Sequence, residues 1–430
     1  MHATVKYRQY LLTVLLIVLA FNYVDRLAFG LLLQDIKLDL QLSDTQLGLL
    51  SGIAFALFYS AMGIPLARWA DRGDRIAIIT LTTALWSAAV AFCGMASSFI
   101  QLLLIRVGVA VGEAGCIPPA HSLIADHFTR DERPRAVSIY MLGKPLSMVI
   151  GYFLAGWLNE IYGWRITFML LGAPGSVLAV LVWFTLREPR LDSRVPLLEH
   201  RPLSDSQPPL REVFKTLWSN VTFRHLLVGF SISMFFNYGI GQWQPAFFIR
   251  SHGLQTGELG SAFALIWGGG GLLGTYLGGA LAARYAAGNE PLQLKAAGVM
   301  FCFFALAFVA IHATDNVYVA FASMTLAAVG SYTINGPFFA TMQTLVPQRM
   351  RAVAIAIIYL FANLIGMGLG PVAAGALSDA LRPWAGEDSL RYALLALSPG
   401  YLWAGWHLWQ AGRTVTRDLH QEDAGGVVAQ

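Results

Sequence analysis

The sequence is poor in charge: 13% of its 430 residues are Asp, Glu, Lys or Arg, whereas 56% are hydrophobic. Soluble globular domains carry about 25% charged residues. The composition therefore excludes an ordinary soluble domain and indicates a protein that crosses a membrane many times. The formal net charge of +4 resides largely in short loops between apolar stretches, where it has a topological explanation, so no nucleic-acid partner is predicted.

Cysteine is scarce as well, and its placement excludes two classes of site. Cys93, Cys116 and Cys302 are scattered through apolar stretches without metal-ligand spacing, so we expect small core residues rather than a disulfide framework or a zinc site. The glycine run 268–271 lies inside an apolar stretch, and no Gly-Lys-Ser/Thr follows it. It is not a phosphate-binding loop. No metal or cofactor is predicted, and any transport must be driven by gradients.

The sequence also lacks the residue pattern of an intramembrane enzyme. Such an enzyme needs a nucleophile with a base, paired aspartates or a metal cluster at membrane depth. His121 and Ser122 lie near the end of an apolar stretch, and His225, His312 and His407 lie near the ends of others without a spaced partner. We therefore predict that the protein is not an enzyme.

Twelve apolar stretches are long enough to cross a bilayer as helices. The predicted spans are 9–34, 45–70, 76–96, 99–126, 135–158, 165–187, 222–250, 257–284, 292–312, 317–344, 351–378 and 390–411. They predict an all-α integral membrane protein with twelve transmembrane helices in two six-helix bundles.

The loops predict the orientation and the division of the chain. Lys and Arg concentrate in the loops after even-numbered spans, which places both termini in the cytoplasm. A segment rich in Pro and Arg separates the sixth and seventh spans. The predicted parts are an N-terminal bundle (1–187), a cytoplasmic linker (188–221), a C-terminal bundle (222–412) and a cytoplasmic tail (413–430). We expect the location to be a bacterial inner membrane.

Two of the predicted spans each contain a pair of full charges. Asp25 and Arg26 are adjacent in the first span, and Arg106 and Glu113 are seven residues apart in the fourth. Seven residues are about two helical turns, or roughly 10 Å of rise, so the latter two do not neutralise each other and each needs a partner elsewhere. Similar depths in the membrane make Asp25 and Arg106 plausible partners. Because intramembrane charge is costly, these residues predict a functional site.

The loop after the second span resembles a signature of the major facilitator superfamily. The segment Ala67-Arg68-Trp69-Ala70-Asp71-Arg72-Gly73-Asp74-Arg75 is similar to Gly-x-x-x-Asp-Arg-x-Gly-Arg, with Ala67 and Asp74 in place of two glycines. The charges of spans 1 and 4, together with Gly112-Glu113-Ala114 near Pro118-Pro119-Ala120, resemble the spinster branch, which exports sphingosine phosphates and lysophospholipids. The resemblance implies a monomeric transporter that works by alternating access, with Asp71, Arg72 and Arg75 as a cytoplasmic gate.

Asp25 and Glu113 are the predicted proton carriers. Pairing with Arg106 should keep Asp25 ionised, whereas a desolvated Glu113 should favour its protonated form. Arg26, Arg106 and Lys144 are candidates for a charge network that binds a headgroup. Lys144 has three interpretations: it binds a phosphate, it extends to the interface, or it pairs with Glu113, in which case Asp25 is the better proton carrier. A purely structural ion-pair network is the alternative for the whole set.

The second half carries almost no central charge, and its candidate cavity residues are Asn237, Trp243, Thr333 and Asn335. One charged half and one polar-aromatic half suit an amphiphile. The prediction is a proton-coupled secondary transporter of lysophospholipid- or sphingosine-phosphate-like molecules, whose partners are that substrate, protons and membrane lipids. A drug or organic-anion exporter and a facilitative uniporter remain as alternatives.

Overall fold

A computed structural model describes residues 5–129, 131–189, 210–286, 288–346 and 350–427. The described residues of the first half form nine α-helices. They are α1 (Val5–Leu31), α2 (Leu33–Leu40), α3 (Asp44–Ser51), α4 (Ile53–Arg72), α5 (Arg75–Cys93), α6 (Phe99–Ala114), α7 (Ile117–His127), α8 (Arg133–Met141) and α9 (Gly143–Thr185). Helix α9 contains most of the predicted fifth and sixth spans. The helix is interrupted between them at Gly163, whose φ of 75° is a left-handed backbone conformation that glycine adopts readily.

In the second half, the part of the chain that the structure describes forms eleven α-helices and two π-helical segments. The helices are α10 (Leu210–Ser219), α11 (Val221–Gly241), α12 (Gln244–His252), α13 (Thr256–Phe263), α14 (Gly270–Tyr285), α15 (Glu290–Ala313), α16 (Val317–Leu345), α17 (Arg351–Phe361), α18 (Gly370–Ala385), α19 (Ser389–Leu397) and α20 (Tyr401–Val427). The π-helical segments, Ala264–Gly269 and Ala362–Leu369, lie at the two glycine-rich stretches of the predicted eighth and eleventh spans.

Each predicted span coincides with one or more of these helices. Within the described residues, eight helical segments are long and apolar enough to cross a membrane, and two of them, Arg135–Thr185 and Val353–Leu419, have 51 and 67 residues. A single crossing needs only about 20 residues, so each of these two holds more than one span. Two details differ from the sequence-based expectation. Part of the predicted linker forms α10, and α20 continues past residue 412 to Val427.

The chain divides into two compact units. The first comprises Met1–Pro202 and Phe248–Ala264, and the second comprises Leu203–Phe247 and Leu265–Gln430. In the first unit α1 and α5 pack along α9, and α5 and α4 pack against α6. In the second unit α15 packs on α20 and α16, and α11 packs on α20. Each unit is therefore a helix bundle with its own core.

Small residues let the helices of each unit approach closely. A Cβ added at Gly112 of α6 would lie 2.6 Å from the backbone nitrogen of Trp86 in α5. In the second unit, a Cβ on Gly298 would lie 2.8 Å from the carbonyl oxygen of Gly405. Both distances are too short for any larger residue, as is usual where membrane helices cross in contact. Of the cysteines, Cys93 and Cys116 are buried as expected, but Cys302 is exposed on its helix.

Candidate functional site

Two ion pairs join α1 to α6 inside the first bundle. Arg106 Nη1 lies 3.2 Å from Asp25 Oδ2, and Arg26 Nε donates to Glu113 Oε2 at 2.5 Å. Asp25 and Arg106 are each 2% exposed, and Glu113 is fully buried. The Asp25–Arg106 contact is the one expected from their depths. The partner of Glu113 is Arg26, which the sequence analysis did not anticipate.

The cluster is electrically balanced, with two guanidinium groups and two carboxylates. Isolated charges are strongly disfavoured in a medium of low polarity, whereas paired and hydrogen-bonded ones are tolerated. Consecutive residues of α1, Asp25 and Arg26, supply one charge of each sign, and so do Arg106 and Glu113 two turns apart on α6. Each pair therefore joins the two helices, and neither forms within one helix.

Aromatic rings surround the two guanidinium groups. The Arg26 guanidinium carbon lies 4.7 Å, 4.5 Å and 4.7 Å from the ring centroids of Tyr23, Phe55 and Tyr59. That of Arg106 lies 4.4 Å from the ring of Phe29. Cation–π attraction is strongest where the cation is desolvated, so these rings help to hold buried cations. The i, i+4 spacing of Phe55 and Tyr59 is the only trace of this arrangement in the sequence.

Several polar atoms of the cluster have no hydrogen-bond partner among the described residues. They are both amide atoms of Asn22, Asp25 Oδ1, Arg106 Nε and Glu113 Oε1. Asn22 is fully buried and lies one turn before Asp25 on α1. Buried polar groups are usually satisfied. The cluster therefore retains hydrogen-bonding capacity, and each carboxylate keeps one oxygen that can take up a proton.

Lys144, at the start of α9, is placed differently from the two arginines. Its Nζ lies 5.2 Å from the ring centroid of Tyr23, the same ring that contacts Arg26, and the residue is exposed. Glu113 is paired with Arg26 instead. In the described part of the chain Lys144 forms no ion pair. It is therefore the one cation of the three candidates whose charge is not balanced by a carboxylate.

The second unit contains a small pocket that is partly open to solvent. Its wall is mostly aromatic and aliphatic, and the lining residues include Phe230, Phe301, Phe304, Phe338, Ile334 and Tyr401. Ser233, Asn237 and Ser331 supply polar groups. The predicted cavity residue Asn237 thus lies at a mostly apolar pocket.

The other candidates in the second unit lie elsewhere. Trp243 is fully buried, and its Nε1 donates to the Pro371 carbonyl at 2.9 Å. The Thr333 hydroxyl donates to the carbonyls of Val329 and Gly274, at 2.9 Å and 3.1 Å. These contacts join neighbouring helices. A cavity-lining role for Trp243 and Thr333 remains a prediction. The side chain of Asn335 is outside the described part of the structure.

Comparison with known proteins identifies the family. The Major Facilitator Superfamily profile matches residues 15–384. An "MFS-type efflux pump" of Mycolicibacterium smegmatis is 32% identical over 416 residues, which cover 95% of this chain and 94% of the pump. "Protein spinster homolog 1" of Xenopus tropicalis is 26% identical over 87% of this chain and 74% of its own length.

The chain belongs to the major facilitator superfamily. Its structure also superposes with a TM-score of 0.85 on a bacterial homologue of the human lysosomal transporter Spinster, solved in an inward-facing and unoccupied conformation. The two are 30% identical, over 97% of this chain and 99% of the other. The protein is therefore a multi-pass membrane transporter related to Spinster, and not an enzyme, and transport by alternating access is the mechanism that this family supports.

The signature loop of the superfamily is anchored by Arg75. This residue is fully buried, and its backbone N–H and its Nε donate to Glu188 Oε2 at 2.8 Å and 3.0 Å. Its Nη1 lies 2.6 Å from Asp126 Oδ2 and donates to Ser122 Oγ at 2.9 Å. Arg75 thus ties the start of α5 to α7 and to the segment after α9. Its role as a gate residue remains a prediction.

The remaining loop residues explain one departure from the superfamily pattern. Asp74 stands where the pattern has glycine, and its carboxylate accepts from the backbone N–H groups of Ile76 and Ala77 at 2.8 Å and 3.0 Å. It therefore acts as the N-cap of α5, a position that favours aspartate. Arg72, at the end of α4, is exposed, and the side chain of Asp71 is outside the described residues.

A second polar network of the first unit involves the segment Phe248–Ala264. Arg250 contacts Asp44 through both terminal nitrogens at 2.8 Å, and Lys37 also pairs with Asp44 at 2.5 Å. Asn159 donates to Thr256 Oγ1 at 3.1 Å. Asp44 is 1% exposed. One buried carboxylate thus holds two cations, one of which comes from the span that follows the linker.

Two histidines that lacked a spaced partner in the sequence meet in the structure. The Nδ1 atoms of His225 on α11 and His407 on α20 lie 3.0 Å apart, 182 residues from each other in the chain. The rings are also packed against Trp406. The spacing of these histidines in the sequence did not indicate the pair, because only the packing of α11 on α20 brings the two rings together.

Proposed function

We propose that this protein is a proton-coupled secondary transporter of anionic amphiphiles, of the lysophospholipid or sphingosine-phosphate type. The observation that carries the proposal is the charge-balanced cluster of α1 and α6. Because its two carboxylates already offset its two guanidinium groups, uptake of one proton leaves a net charge of +1 in a desolvated place. An anionic group nearby would offset that charge, so proton and anion bind better together than apart.

Lys144 supports an anionic headgroup. It adds an exposed, unbalanced ammonium group next to Tyr23, which also contacts Arg26. Lysine binds phosphate as a compact point charge. In this proposal Lys144 makes the first contact with the headgroup. Arg26 and Arg106 act indirectly, because protonation of a carboxylate that pairs with one of them leaves its positive charge unbalanced. Asp25 and Glu113 share the proton.

The pocket of the second unit supports the apolar part of the substrate. Its phenylalanine-rich wall suits an alkyl chain, since each buried methylene contributes about 0.8 kcal/mol. Ser233, Asn237 and Ser331 give the chain-binding wall a few polar points. The similarity to Spinster proteins supports a lipid-like substrate, because the spinster branch that the sequence resembles exports lysophospholipids and sphingosine phosphates.

A drug or organic-anion exporter is the second candidate function. The observation that favours it is the Mycolicibacterium smegmatis efflux pump, which aligns over 95% of this chain. The same cation and the same apolar pocket would hold an amphipathic drug.

The test is uptake into proteoliposomes that contain the purified protein. Labelled lysophospholipid, labelled sphingosine phosphate and an amphipathic organic anion are each offered with and without an imposed pH gradient. We expect the gradient to drive accumulation of one or both lipids above the equilibrium level. Accumulation of the organic anion alone would replace the first proposal by the second. Uptake without any response to the gradient would point to a facilitative uniporter and contradict proton coupling.

Replacement of Lys144 by glutamine is expected to raise the KM for the anionic lipid roughly ten- to hundred-fold, from the ~1.5–3 kcal/mol of a hydrogen bond to a charged group. The maximal rate should change less, because the proton-binding carboxylates remain. Lys295→Gln, which removes a lysine near the Trp409 ring in the second unit, is the matched control. An unchanged KM in Lys144→Gln would remove this residue from headgroup binding.

Replacement of Ser233 by phenylalanine should narrow the pocket of the second unit. We expect the KM for a lipid with an 18-carbon chain to rise at least ten-fold and that for an 8-carbon analogue to change little, because the lost space holds methylene groups worth about 0.8 kcal/mol each. Ser231→Phe is the control: Ser231 is as buried, at 4% exposure, but does not line the pocket. Equal effects on both chain lengths would contradict chain binding there.

A further inference from the structure

Helix α10 carries a surface that the transport site does not use. It ends at Ser219, and the spanning helix α11 begins at Val221, with Asn220 as its N-cap. The Asn220 side chain accepts from the Phe223 N–H at 2.8 Å. Helix α10 packs on α11 and α17 through its buried Val213 and Leu217. It is therefore held at the point where the chain enters the membrane.

The exposed side of α10 is ordered by chemistry around the helix axis. At about 100° per residue, the buried residues Val213 and Leu217 are followed in turn by Phe214 and Trp218, then by Arg211 and Lys215, and finally by Ser219 and Thr216. Phe214 and Trp218 are each 46% exposed and stack with their ring centroids 5.7 Å apart. Arg211, Lys215, Thr216 and Ser219 are exposed as well.

This sequence of faces matches the layers of a bilayer surface. Aromatic rings favour the boundary between acyl chains and headgroups, lysine and arginine favour the phosphate level, and hydroxyl groups favour water. A protein partner would have to cover the aromatic pair and the basic pair with one surface. A bilayer offers an apolar layer beside a negatively charged one, and it is already present where α11 begins.

We infer that α10 lies in the membrane surface and binds anionic phospholipid headgroups through Arg211 and Lys215, with Phe214 and Trp218 inserted beside them. The inference is independent of the transported substrate. Helix α10 is then a binding site for membrane lipids, and it holds the start of α11 at the surface of the leaflet. Zwitterionic lipids provide an apolar layer for Phe214 and Trp218 but no net negative charge for Arg211 and Lys215, whereas anionic lipids provide both.

The first test measures lipid selectivity on the whole protein. Purified protein is equilibrated in bilayers of phosphatidylcholine with 30% phosphatidylglycerol, and the retained lipids are counted by native mass spectrometry. A basic residue near an anionic surface contributes about 1 kcal/mol, so the double variant Arg211→Gln/Lys215→Gln should reduce the preference for phosphatidylglycerol roughly ten- to thirty-fold. The control, Arg284→Gln/Lys295→Gln, removes the same charge from the same unit. Equal loss in both would show a response to net charge alone and overturn the inference.

The second test measures the depth of α10 in the bilayer. In a Cys302→Ser background, which removes the exposed thiol, a spin label is attached to Phe214→Cys or to Thr216→Cys. The label at 214 should be accessible to oxygen, which dissolves in lipid, and the label at 216 to a water-soluble nickel chelate. Equal exposure of both labels to the chelate would place α10 in water and would overturn the inference even if lipid counts respond to charge.

Discussion

Glu113→Gln is expected to abolish accumulation driven by a pH gradient while substrate exchange between the two sides continues. The glutamine side chain keeps the shape of the carboxyl group but cannot bind or release a proton. It resembles the protonated residue, so the cluster would permanently hold the balance that protonation gives: two guanidinium groups against one carboxylate. Substrate binding should therefore survive. The accumulation ratio, several-fold above equilibrium in the native protein, should fall to about 1, since no gradient then acts on the cycle.

The measurement pairs gradient-driven uptake with counterflow of labelled against unlabelled substrate in the same proteoliposomes. Glu387→Gln serves as the control, because its side chain is 87% exposed and its ion pair with Arg382 spans 3.5 Å. Loss of uptake and counterflow together would indicate a folding defect and not a coupling defect. Gradient-driven accumulation that persists in Glu113→Gln would exclude this residue as the proton carrier and leave Asp25 to be tested by the same pair of assays.

The placement of the charged residues was largely predictable because helix geometry is local. An α-helix rises 1.5 Å per residue, so the depths of Asp25 and Arg106 follow from their positions in apolar stretches, and their contact at 3.2 Å agrees with those depths. The cost of isolated charge in hydrocarbon identified the cluster before any contact was known. The same reasoning yields a depth for Glu113 but offers Lys144 as a partner, whereas the partner in the structure is Arg26, because depth does not fix the direction in which a side chain points.

The aromatic surroundings of Arg26 were not predictable from the sequence. Tyr23 lies on α1, whereas Phe55 and Tyr59 come from α4, and membrane helices contain many aromatic residues that face lipid or core. The rotation of α4 about its axis decides which of its aromatic residues point toward Arg26. The Arg75 partners Glu188 and Asp126 come, likewise, from residues 113 and 51 positions away. Contacts of this kind depend on tertiary packing, to which no local pattern corresponds.

Hydropathy located the helices but not their irregularities. It counts apolar residues and is insensitive to the hydrogen-bond pattern, so the π-helical segments at Ala264–Gly269 and Ala362–Leu369 were not expected. Their glycines indicated flexible or closely packed positions in general terms. Such segments occur mostly as local bulges in α-helices, often at functional sites. Helix α10 was missed because a segment of ten residues is shorter than a span and because Arg211, Glu212 and Lys215 interrupt its apolar residues.

Asp25→Asn is expected to destabilise the folded protein by about 3–5 kcal/mol, which is the usual cost of removing one partner of a buried ion pair. Arg106 is 2% exposed and packs against the Phe29 ring, so it cannot reach water without disturbing α6. Asparagine has the size of aspartate, and the effect therefore reports the lost charge. The measurement is unfolding of the detergent-solubilised protein, with Asp315→Asn as the control because that side chain is 90% exposed.

The double variant Asp25→Asn/Arg106→Gln separates charge from packing. It removes both members of the pair, so no uncompensated charge remains and much of the lost stability should return, even though the ion pair itself is gone. Such recovery is expected because a buried ion pair adds little net stability compared with neutral groups of similar size. A double variant that is less stable than Asp25→Asn alone would mean that Arg106 stabilises α6 through its own contacts, with Asp25 a minor part. Asp25 could then take up a proton at little structural cost, which would strengthen its claim as a proton carrier beside Glu113.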